Sequence, residues 1–287
     1  MNTQHAYLLF FVILNKITVA PGIIYVFSIY TTMTSSGYIG KRILRFDSID
    51  STNNYAIQLT GKNDTLEGDT VWALEQTAGK GHQGRRWESP RGENLTFSII
   101  FFPRFMKAGM QFYLSKIVSL GVYEFLKEES PYVTIKWPND LYHANKKIGG
   151  ILIENGITGT EISYSVAGIG LNLNQKHFNI DAPNPVSLTQ ITHKHYDIED
   201  VLKQLCLRIE ERYEQLKSGN MTDIDRDYLN HLFQYKQLKK YRKGNRVFEA
   251  RITTVREDGT MVMESPEGEK YTFGFKEFEY ILDHTSE

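Results

Sequence analysis

Two short stretches hold most of the residues that could do chemistry. The first, GKGHQGRRWESPRGENLTFS from Gly79 to Ser98, opens with three glycines, basic side chains and an indole. The second, KWPNDLYHANKKIGGILIE from Lys136 to Glu154, contains Asn139 and Asp140, followed by Lys147 and two glycines. Glycines let a backbone approach a ligand closely, and basic side chains supply charge for phosphates. Together the stretches predict a site for a phosphorylated, adenine-bearing ligand.

The glycines of the first stretch also spell a dinucleotide-binding pattern, which we exclude. Gly79, Gly81 and Gly84 have the spacing G-x-G-x-x-G. That fingerprint requires a helix that begins at the third glycine and an acidic residue about 20 positions later. Pro90 and Gly92 would break such a helix. The stretch is therefore predicted to be a loop between two strands.

Composition limits the classes of partner and the compartment. The 287 residues include 33 Lys and Arg against 34 Asp and Glu, for a net charge of -1. No overall positive field would attract the chain to nucleic acid, so charged recognition must be local. The single cysteine, Cys206, excludes an internal disulfide and is interpreted as a small buried hydrophobe. We expect a reducing compartment, the cytoplasm.

Residues 1–36 differ from the rest of the chain. From Tyr7 to Tyr30 the sequence is mostly apolar and long enough to span a bilayer. No Lys or Arg precedes this run, so the basic start of a secretory signal is missing. We favour an extension upstream of an initiator at Met33 over a membrane anchor or a cleaved signal. Membrane association is therefore not expected.

Hydrophobic periodicity predicts alternating strands and helices, followed by a small β domain. Helices are predicted from a cap at Ser51 or Thr52 to Gly61, and over Ala108–Glu129 and Asp197–Leu216. Strands are predicted at Ile39–Phe46, Asp69–Gln76, Leu95–Phe102, Tyr132–Trp137, Lys147–Asn155 and Glu161–Leu173. After about Gln234 the pattern changes to short strands at Arg246–Val255, Met261–Ser265 and Glu269–Gly274. The basic run from Lys236 to Lys243 is interpreted as a solvated edge, with docking of an acidic partner as the alternative.

At these residues the chain resembles a biotin protein ligase of the monofunctional type, biotin-[acetyl-CoA-carboxylase] ligase. The similarity covers roughly Ile39 to Leu282 and includes a third motif, AGIGLNLN at Ala167 to Asn174. The resemblance implies an α+β fold at residues 37–234, with a mixed β-sheet and flanking helices related to class II aminoacyl-tRNA synthetases. It also implies an SH3-like β barrel at residues 235–287. Residues 1–36 form the apolar leader outside this similarity.

This family makes biotinoyl-5'-AMP from biotin and ATP with Mg²⁺, then transfers the biotinoyl group to a lysine of a biotin carboxyl carrier protein. By this likeness, the catalytic residues are Lys147, Arg85 and Asp140. The biotin site is formed by Ser51, Thr52, Gln76, Lys80, Gly150, Leu152 and Gly168. The ATP site is formed by Gly79, Gly81, His82, Gly84, Arg86, Trp87, Asn139 and Asn172. No metal ligands follow from the sequence.

The chemistry explains why cations dominate this set. Biotin's carboxylate must attack the α-phosphorus, which brings two anions together and requires positioned positive charge rather than a protein nucleophile. Asp140 would accept the proton of the attacking lysine or orient that lysine, and a turn cap is the structural alternative. His82 and Lys80 stand where many relatives have arginine, which predicts a looser grip on the adenylate.

Two other functions stay open. Lipoate-protein ligase runs the same two steps on a different acid, but it has a GGAVYHD-type stretch where this chain has RRWESPRG. A non-catalytic biotin-binding module would hold biotin without making pyrophosphate. Residues 1–38 lack the winged helix-turn-helix of family members that repress transcription, so DNA binding is not expected. A homodimer is left open.

Overall fold

The computed structural model describes residues 37–81, 84, 86–178 and 184–282, and the backbone of residues 14–20 and 23–31. Fourteen strands and five α-helices are described. The first nine strands are β1 Leu14–Ala20, β2 Ile23–Thr31, β3 Arg42–Phe46, β4 Thr70–Ala73, β5 Leu95–Phe101, β6 Val133–Lys136, β7 Asp140–His143, β8 Lys146–Thr158 and β9 Glu161–Leu171. The helices are α1 Thr52–Thr60, α2 Phe112–Glu129, α3 Leu188–Thr192, α4 Ile198–Lys217 and α5 Met221–Asn230.

The nine strands form one mixed sheet in the order β1-β2-β3-β4-β5-β9-β8-β7-β6. β3 and β4 run parallel, and the other neighbours are antiparallel. The predicted α+β class with a mixed sheet is therefore confirmed. The stretch between β4 and β5 is a connection between antiparallel neighbours, which agrees with the exclusion of a dinucleotide-binding helix.

The described part of the predicted leader is a β-hairpin. β1 pairs with β2, and β2 continues the sheet by pairing with β3. Among the residues that the structure describes, no helix is long and apolar enough to cross a membrane. The predicted initiator Met33 lies outside the described residues.

Helices cover the sheet on both faces, and β5 shows why. Leu95, Phe97, Ile99 and Phe101 of β5 belong to a large core that also contains the buried faces of α2 and α4. Ile100 packs in a smaller core with Ala56 and Leu59 of α1. Successive side chains of a strand point to opposite faces, so burial of both sets places β5 between two helical layers. The polar Thr96 and Ser98 of β5 are also buried, on the face covered by α1.

A second, antiparallel sheet follows in sequence. Its strands are β10 Lys239–Lys243, β11 Arg246–Val255, β12 Met261–Glu264, β13 Lys270–Phe273 and β14 Glu279–Tyr280, in the order β13-β12-β11-β10-β14. The predicted small β domain is present, and its three predicted strands agree closely with the structure. The basic run is not only a solvated edge: it includes β10, which pairs with β11 and β14. β1, β2, β7, β10, β14, α3 and α5 were not predicted.

The two sheets are joined at a junction of aromatic and charged side chains. The Trp137 indole Nε1 donates to the Gly259 carbonyl at 3.0 Å, and its ring stacks on Phe278 with centroids 5.5 Å apart. Lys116 of α2 is 1% exposed; its Nζ lies 2.6 Å from Asp225 Oδ1 of α5 and donates to the Val255 carbonyl of β11 at 3.2 Å. The junction therefore packs the second sheet against Trp137 and supports the turn between β6 and β7.

Candidate functional site

A pocket open to solvent lies on the sheet face that α1 covers, with about 460 Å³ of empty space including the open solvent at its mouth. Its walls come from the start of α1, the loop after β4, the turn before β7, and strands β8 and β9. The lining residues are Ser51, Thr52, Asn53, Gln76, Lys80, Gly81, Trp87, Asn139, Lys147, Gly150, Ile151, Leu152, Gly168, Ile169 and Gly170.

Strand register brings residues from distant parts of the chain into two rows. One row crosses the sheet through Lys136, Asp140, Gly150, Gly170 and Thr96. The neighbouring row contains Leu152, Gly168 and Ser98. Directly opposite residues in antiparallel strands share a face, so both rows lie on the face of the sheet that carries the pocket, and Gly150, Leu152, Gly168 and Gly170 line the pocket itself.

The glycines of β9 make room for the groups above them. A Cβ atom at Gly170 would lie 2.4 Å from Cε2 of Trp87, and one at Gly168 would lie 2.1 Å from Oδ1 of Asn53. Real Cβ atoms do not approach other atoms so closely, so larger residues would displace the Trp87 indole and the Asn53 amide. The two glycines therefore allow these side chains to lie directly against β9.

Trp87 ties the glycine-rich loop to the sheet. Its backbone N–H donates to the Gly79 carbonyl at 3.0 Å, and its indole lies over Gly150 and Gly170. The indole Nε1 is buried and has no hydrogen-bond partner among the described residues. A buried donor without a partner is costly, and a ligand acceptor would satisfy it.

The start of α1 supplies a cluster of small polar groups. Ser51 is the N-cap, with its side chain accepting from the Asn54 backbone N–H. The Thr52 backbone N–H donates to Gln76 Oε1 at 2.8 Å, and the Thr52 hydroxyl lies 3.1 Å from the same oxygen. Ser51 and Thr52 are nearly fully buried, while Gln76 is half-buried in the wall of the pocket. The cluster can therefore recognise a polar, uncharged group.

Two lysines provide positive charge, and each is paired with a carboxylate. Lys147 Nζ lies 2.6 Å from Asp140 Oδ1 and 5.9 Å from the centroid of the Trp87 ring. Lys80 Nζ lies 3.6 Å from Glu154 Oε1. Because both pairs are partly exposed, an incoming anion can compete with the carboxylates for the lysines.

A third lysine stands behind this pair. The Lys136 ammonium donates to the Tyr142 hydroxyl at 3.1 Å and lies 4.3 Å from the Tyr142 ring centroid and 4.8 Å from that of Tyr280. Burial lowers the pKa of Lys136 to about 8; the Asp140 charge opposes this shift and the Lys147 charge adds to it. The electrostatic coupling shows that Lys136 belongs to the surroundings of the Asp140 and Lys147 pair.

Asn139 holds the turn against β8. Its Nδ2 donates to the Ile151 carbonyl at 2.8 Å, and the Ile151 N–H donates to the Asn139 carbonyl at the same distance. The preceding Trp137-Pro138 peptide is cis. These contacts place Asp140 at the start of β7, opposite Gly150.

The structure gathers most of the predicted site residues. Eleven of them line the pocket: Ser51, Thr52, Gln76, Lys80, Gly81, Trp87, Asn139, Lys147, Gly150, Leu152 and Gly168. Asp140 contacts Lys147, and Gly79 holds the Trp87 backbone. Arg85 and His82 lie outside the described residues.

Besides Gly79, three described residues of the predicted nucleotide site do not line the pocket. Arg86 is exposed and donates to the Thr77 carbonyl at 3.1 Å, and Gly84 is exposed with a positive φ of 78°. Asn172 is buried, and its Nδ2 donates to the Val186 carbonyl at 3.1 Å. These contacts give Asn172 a structural role in joining β9 to the segment before α3.

Sequence reasoning missed four lining residues, Asn53, Ile151, Ile169 and Gly170. Gly170 had a signal: it stands two positions after Gly168, and alternate residues of a strand share a face. Asn53 lies in the first turn of α1 next to the predicted residues Ser51 and Thr52, but no spacing in the sequence distinguished it as a site residue. Glu154, the partner of Lys80, had the same signal, because Gly150, Leu152 and Glu154 are alternate residues of β8 and share a face.

Carboxylates near the pocket are few, which limits how a metal ion would be held. Within the described ranges, no group of three or more His, Cys, Asp or Glu residues could hold a metal ion. Mg²⁺ commonly binds through substrate phosphates and one or two carboxylates rather than an all-protein cage. Asp140 is a carboxylate at the pocket that fits this mode.

Comparisons with known proteins agree on one family. Residues 45–172 match the biotin/lipoate A/B protein ligase family. The chain is 28% identical to the bifunctional ligase/repressor BirA of Bacillus subtilis over 239 residues, covering 81% of this chain and 72% of that protein. It is 28% identical to biotin-[acetyl-CoA-carboxylase] ligase of Paracoccus denitrificans over 228 residues, covering 76% and 92%.

A solved structure shows the same similarity in three dimensions. The biotin protein ligase of Aquifex aeolicus in complex with biotin and ATP superposes with a TM-score of 0.68 and 26% identity, covering 83% of this chain and 97% of that one.

Proposed function

The chain carries a domain of the biotin/lipoate A/B protein ligase family, and on that premise we propose that it activates biotin with ATP and transfers the biotinoyl group to a carrier lysine. The observation that carries the proposal is the pairing, in one pocket, of a polar uncharged cluster with the Lys147 ammonium. The cluster suits the ureido ring of biotin, and the ammonium suits its carboxylate and the α-phosphate of ATP.

In the first step, the biotin carboxylate attacks the α-phosphorus, biotinoyl-5'-AMP forms and pyrophosphate leaves. Lys147 Nζ lies beside Gly150 and 5.9 Å from the centroid of the Trp87 ring, where it would hold both anions and stabilise the negative charge that develops between them. Trp87 would stack on the adenine. Asp140 would hold Mg²⁺ together with the nucleotide phosphates, and the ion would supply further charge neutralisation when bound.

In the second step, the neutral amine of the carrier lysine attacks the carbonyl carbon of the mixed anhydride. The bond between that carbon and the phosphate oxygen breaks, AMP leaves, and the amine loses a proton. Asp140 is the carboxylate nearest to Lys147 and would orient or deprotonate the amine. The acceptor in this proposal is the carrier domain of a biotin-dependent carboxylase, and the reaction takes place in the cytoplasm.

The division of the chain belongs to the same proposal. Residues 37–234 would form the catalytic domain and residues 235–287 the SH3-like β domain. Strands β3 to β9 lie in one sheet and β10 to β14 in another, which supports this division, and the hairpin of β1 and β2 extends the edge of the first sheet. The Trp137 contacts explain how the smaller domain would support the catalytic turn.

The polar cluster also favours biotin over lipoate. The dithiolane ring of lipoate has neither an N–H group nor a carbonyl, so the groups that Thr52 and Gln76 present to the pocket would gain no hydrogen bond from the ligand. Unpaired polar groups in a binding site discriminate strongly against an analogue that lacks the matching group.

Intact-mass analysis of a purified biotin carboxyl carrier domain tests the proposal. After incubation with this protein, ATP, Mg²⁺ and biotin, we expect the carrier to gain the mass of one biotinoyl group. A parallel reaction receives lipoate in place of biotin, and pyrophosphate release is measured in both.

Each alternative gives a different result in the same assay. A gain with lipoate alone would transfer the assignment to lipoate-protein ligase. Biotin binding without pyrophosphate release would leave the non-catalytic binding module as the function.

A further inference from the structure

We propose that Ser98 and Glu154, neither of which lines the pocket, set the direction of the hydrogen bonds at its polar end and thereby its preference for a cyclic urea. This inference rests on the proposed function because it concerns the recognition of biotin's ureido ring. Ser98 and Glu154 are positioning residues: they act through Asn53, Thr52 and Gln76, which do line the pocket.

Glu154 fixes one end of the hydrogen-bond chain. The Asn53 amide nitrogen donates to Glu154 Oε2 at 2.8 Å and to the Leu152 carbonyl at 3.3 Å. An ionised carboxylate only accepts hydrogen bonds, so the amide nitrogen of Asn53 must face β8. Its Oδ1 atom is therefore turned toward β5, where it can only accept.

The Ser98 hydroxyl connects Asn53 to Thr52 in this hydrogen-bond chain. Its hydroxyl donates to Asn53 Oδ1 at 2.6 Å and lies 2.8 Å from the Thr52 hydroxyl. A hydroxyl has one hydrogen, and the shorter contact is with an oxygen that has none. The Ser98 hydrogen is therefore used on Asn53, and the contact with Thr52 requires the hydrogen of the Thr52 hydroxyl.

The Thr52 hydroxyl is then left as an acceptor toward the pocket. The hydroxyls of Ser98 and Thr52 have one hydrogen each, but they take part in three contacts: Ser98 with Asn53, Thr52 with Ser98, and Thr52 with Gln76. The contact left without a hydroxyl hydrogen is the longest, at 3.1 Å, and there Gln76 Oε1 already accepts from the Thr52 backbone N–H at 2.8 Å. The lone pairs of the Thr52 oxygen remain available for a ligand N–H.

Gln76 completes the pattern with the opposite polarity. Because the Thr52 backbone N–H requires an acceptor, Oε1 faces α1 and Nε2 is presented as a donor. No described residue accepts a hydrogen bond from Nε2. The pocket thus offers an acceptor beside a donor, which matches the adjacent N–H and C=O groups of a cyclic urea. A cyclic guanidine offers hydrogens at both positions and would be rejected.

Calorimetric titration of the full chain with biotin, and separately with ATP, tests this arrangement in Ser98→Ala. We expect the biotin Kd to rise roughly 10- to 100-fold, the effect of unpairing buried hydrogen-bonding groups, while the ATP Kd changes by less than about threefold. The preference for biotin over its cyclic guanidine analogue should fall as well, because the Thr52 hydroxyl keeps only the longer, 3.1 Å contact with Gln76 Oε1 and can turn to donate to the ligand.

Ser165→Ala is the matched control. Ser165 is also fully buried, in β9 next to β5, but its hydroxyl has no hydrogen-bond partner among the described residues. It should leave both dissociation constants unchanged. Glu154→Gln is a second variant, outside the buried layer. The new amide can either donate or accept, so it no longer fixes the orientation of the Asn53 amide. The affinity for the guanidine analogue should therefore rise relative to the affinity for biotin.

The outcomes separate this inference from the proposed function. If the wild type binds biotin and Ser98→Ala binds it equally well, or if Ser98→Ala weakens biotin and ATP to the same degree, the inference is overturned and the proposed function stands. If the wild type binds no biotin, both are overturned.

Discussion

The Lys147 ammonium is the cation of the described pocket that lies closest to Trp87, and its position depends on three neighbours. Asp140 holds it at 2.6 Å, Gly150 leaves space beside it, and its backbone bonds with Asn184 and Val186 anchor the start of β8. A positioned cation stabilises charge that develops in the transition state at little cost in reorganisation. This position supports the proposal that Lys147 stabilises the charge of the activation step.

Lys147→Ala should lower the rate constant for biotinoyl-5'-AMP formation by roughly 100- to 1,000-fold, the loss typical of one charge-stabilising group. Lys147→Arg should restore part of the rate because it keeps the charge but changes its shape. Single-turnover measurement of pyrophosphate release gives the rate constant.

Lys146→Ala is the control for loss of a lysine in the same strand, since Lys146 is exposed and does not line the pocket. If the rate constant for biotinoyl-5'-AMP formation is similar in Lys147→Ala and Lys146→Ala, Lys147 does not contribute to the activation step.

At the scale of elements, β9 is a strand whose missing side chains define the pocket. Gly168 and Gly170 occupy the face toward α1, while Ile169 and Leu171 of the same strand pack in the large core. A strand with two interior glycines loses side-chain packing on one face. Burial of its other face, and pairing with both β5 and β8, keep this strand in place.

Gly170→Ala should move the Trp87 indole without unfolding the protein, because the new Cβ would meet a side chain on a loop rather than buried backbone. We expect the ATP Kd to rise about tenfold, which corresponds to about 1.4 kcal/mol. Trp72 and Trp137 are 4% and 3% exposed, so a change in tryptophan fluorescence would report on half-buried Trp87.

Gly109→Ala is the matched variant, as a Cβ there would meet no atom within 4 Å. If Gly170→Ala and Gly109→Ala have the same fluorescence and the same ATP affinity, Trp87 does not depend on the glycine.

At the scale of the whole molecule, the Lys136 side chain links the site to the second sheet. Its ammonium lies among the rings of Tyr142 from β7, Phe233 after α5 and Tyr280 from β14. No carboxylate of the described residues forms an ion pair with it. Burying a cation among rings costs desolvation energy, which lowers the pKa of Lys136 from 10.5 to about 8.

This pKa predicts how stability changes with pH. Between pH 8 and 10.5 the unfolded chain retains a proton that folded Lys136 has lost, so Lys136 makes the free energy of unfolding rise with pH. The slope from one such group is at most about 1.4 kcal/mol per pH unit. Buried tyrosines with raised pKa values, such as Tyr241, oppose this trend only above about pH 10.

Urea unfolding of the wild type and Lys136→Met at pH 7.5 and 9.5 measures this contribution. Between these two pH values, the free energy of unfolding of the wild type should rise by roughly 1 to 2 kcal/mol more than that of Lys136→Met. Parallel pH profiles for the two proteins would show that Lys136 titrates normally in the folded state.

Local patterns in the sequence were sufficient for the elements with strong periodicity. The stripe of α4, the apolar run of β5 and the Ser51 cap of α1 were predicted within a few residues of their observed positions. β7 and β10 were missed because their polar residues, such as Asp140 and Lys240, hide the alternation that marks a strand. α5 is short and charged, and its burial depends on contact with Lys116 of α2.

For the site, the sequence by itself determined which motifs matter: the glycine-rich loop, the segment around Asn139 and Asp140, and the glycines of β8 and β9. It did not determine which polar residues meet. Ser98, Asn53 and Glu154 come from three distant segments; strand pairing places Ser98 of β5 and Glu154 of β8 on either side of β9, and the packing of α1 places Asn53 within hydrogen-bond distance of both. Strand pairing over long sequence separations is decided by packing of the whole core, which local spacing does not encode.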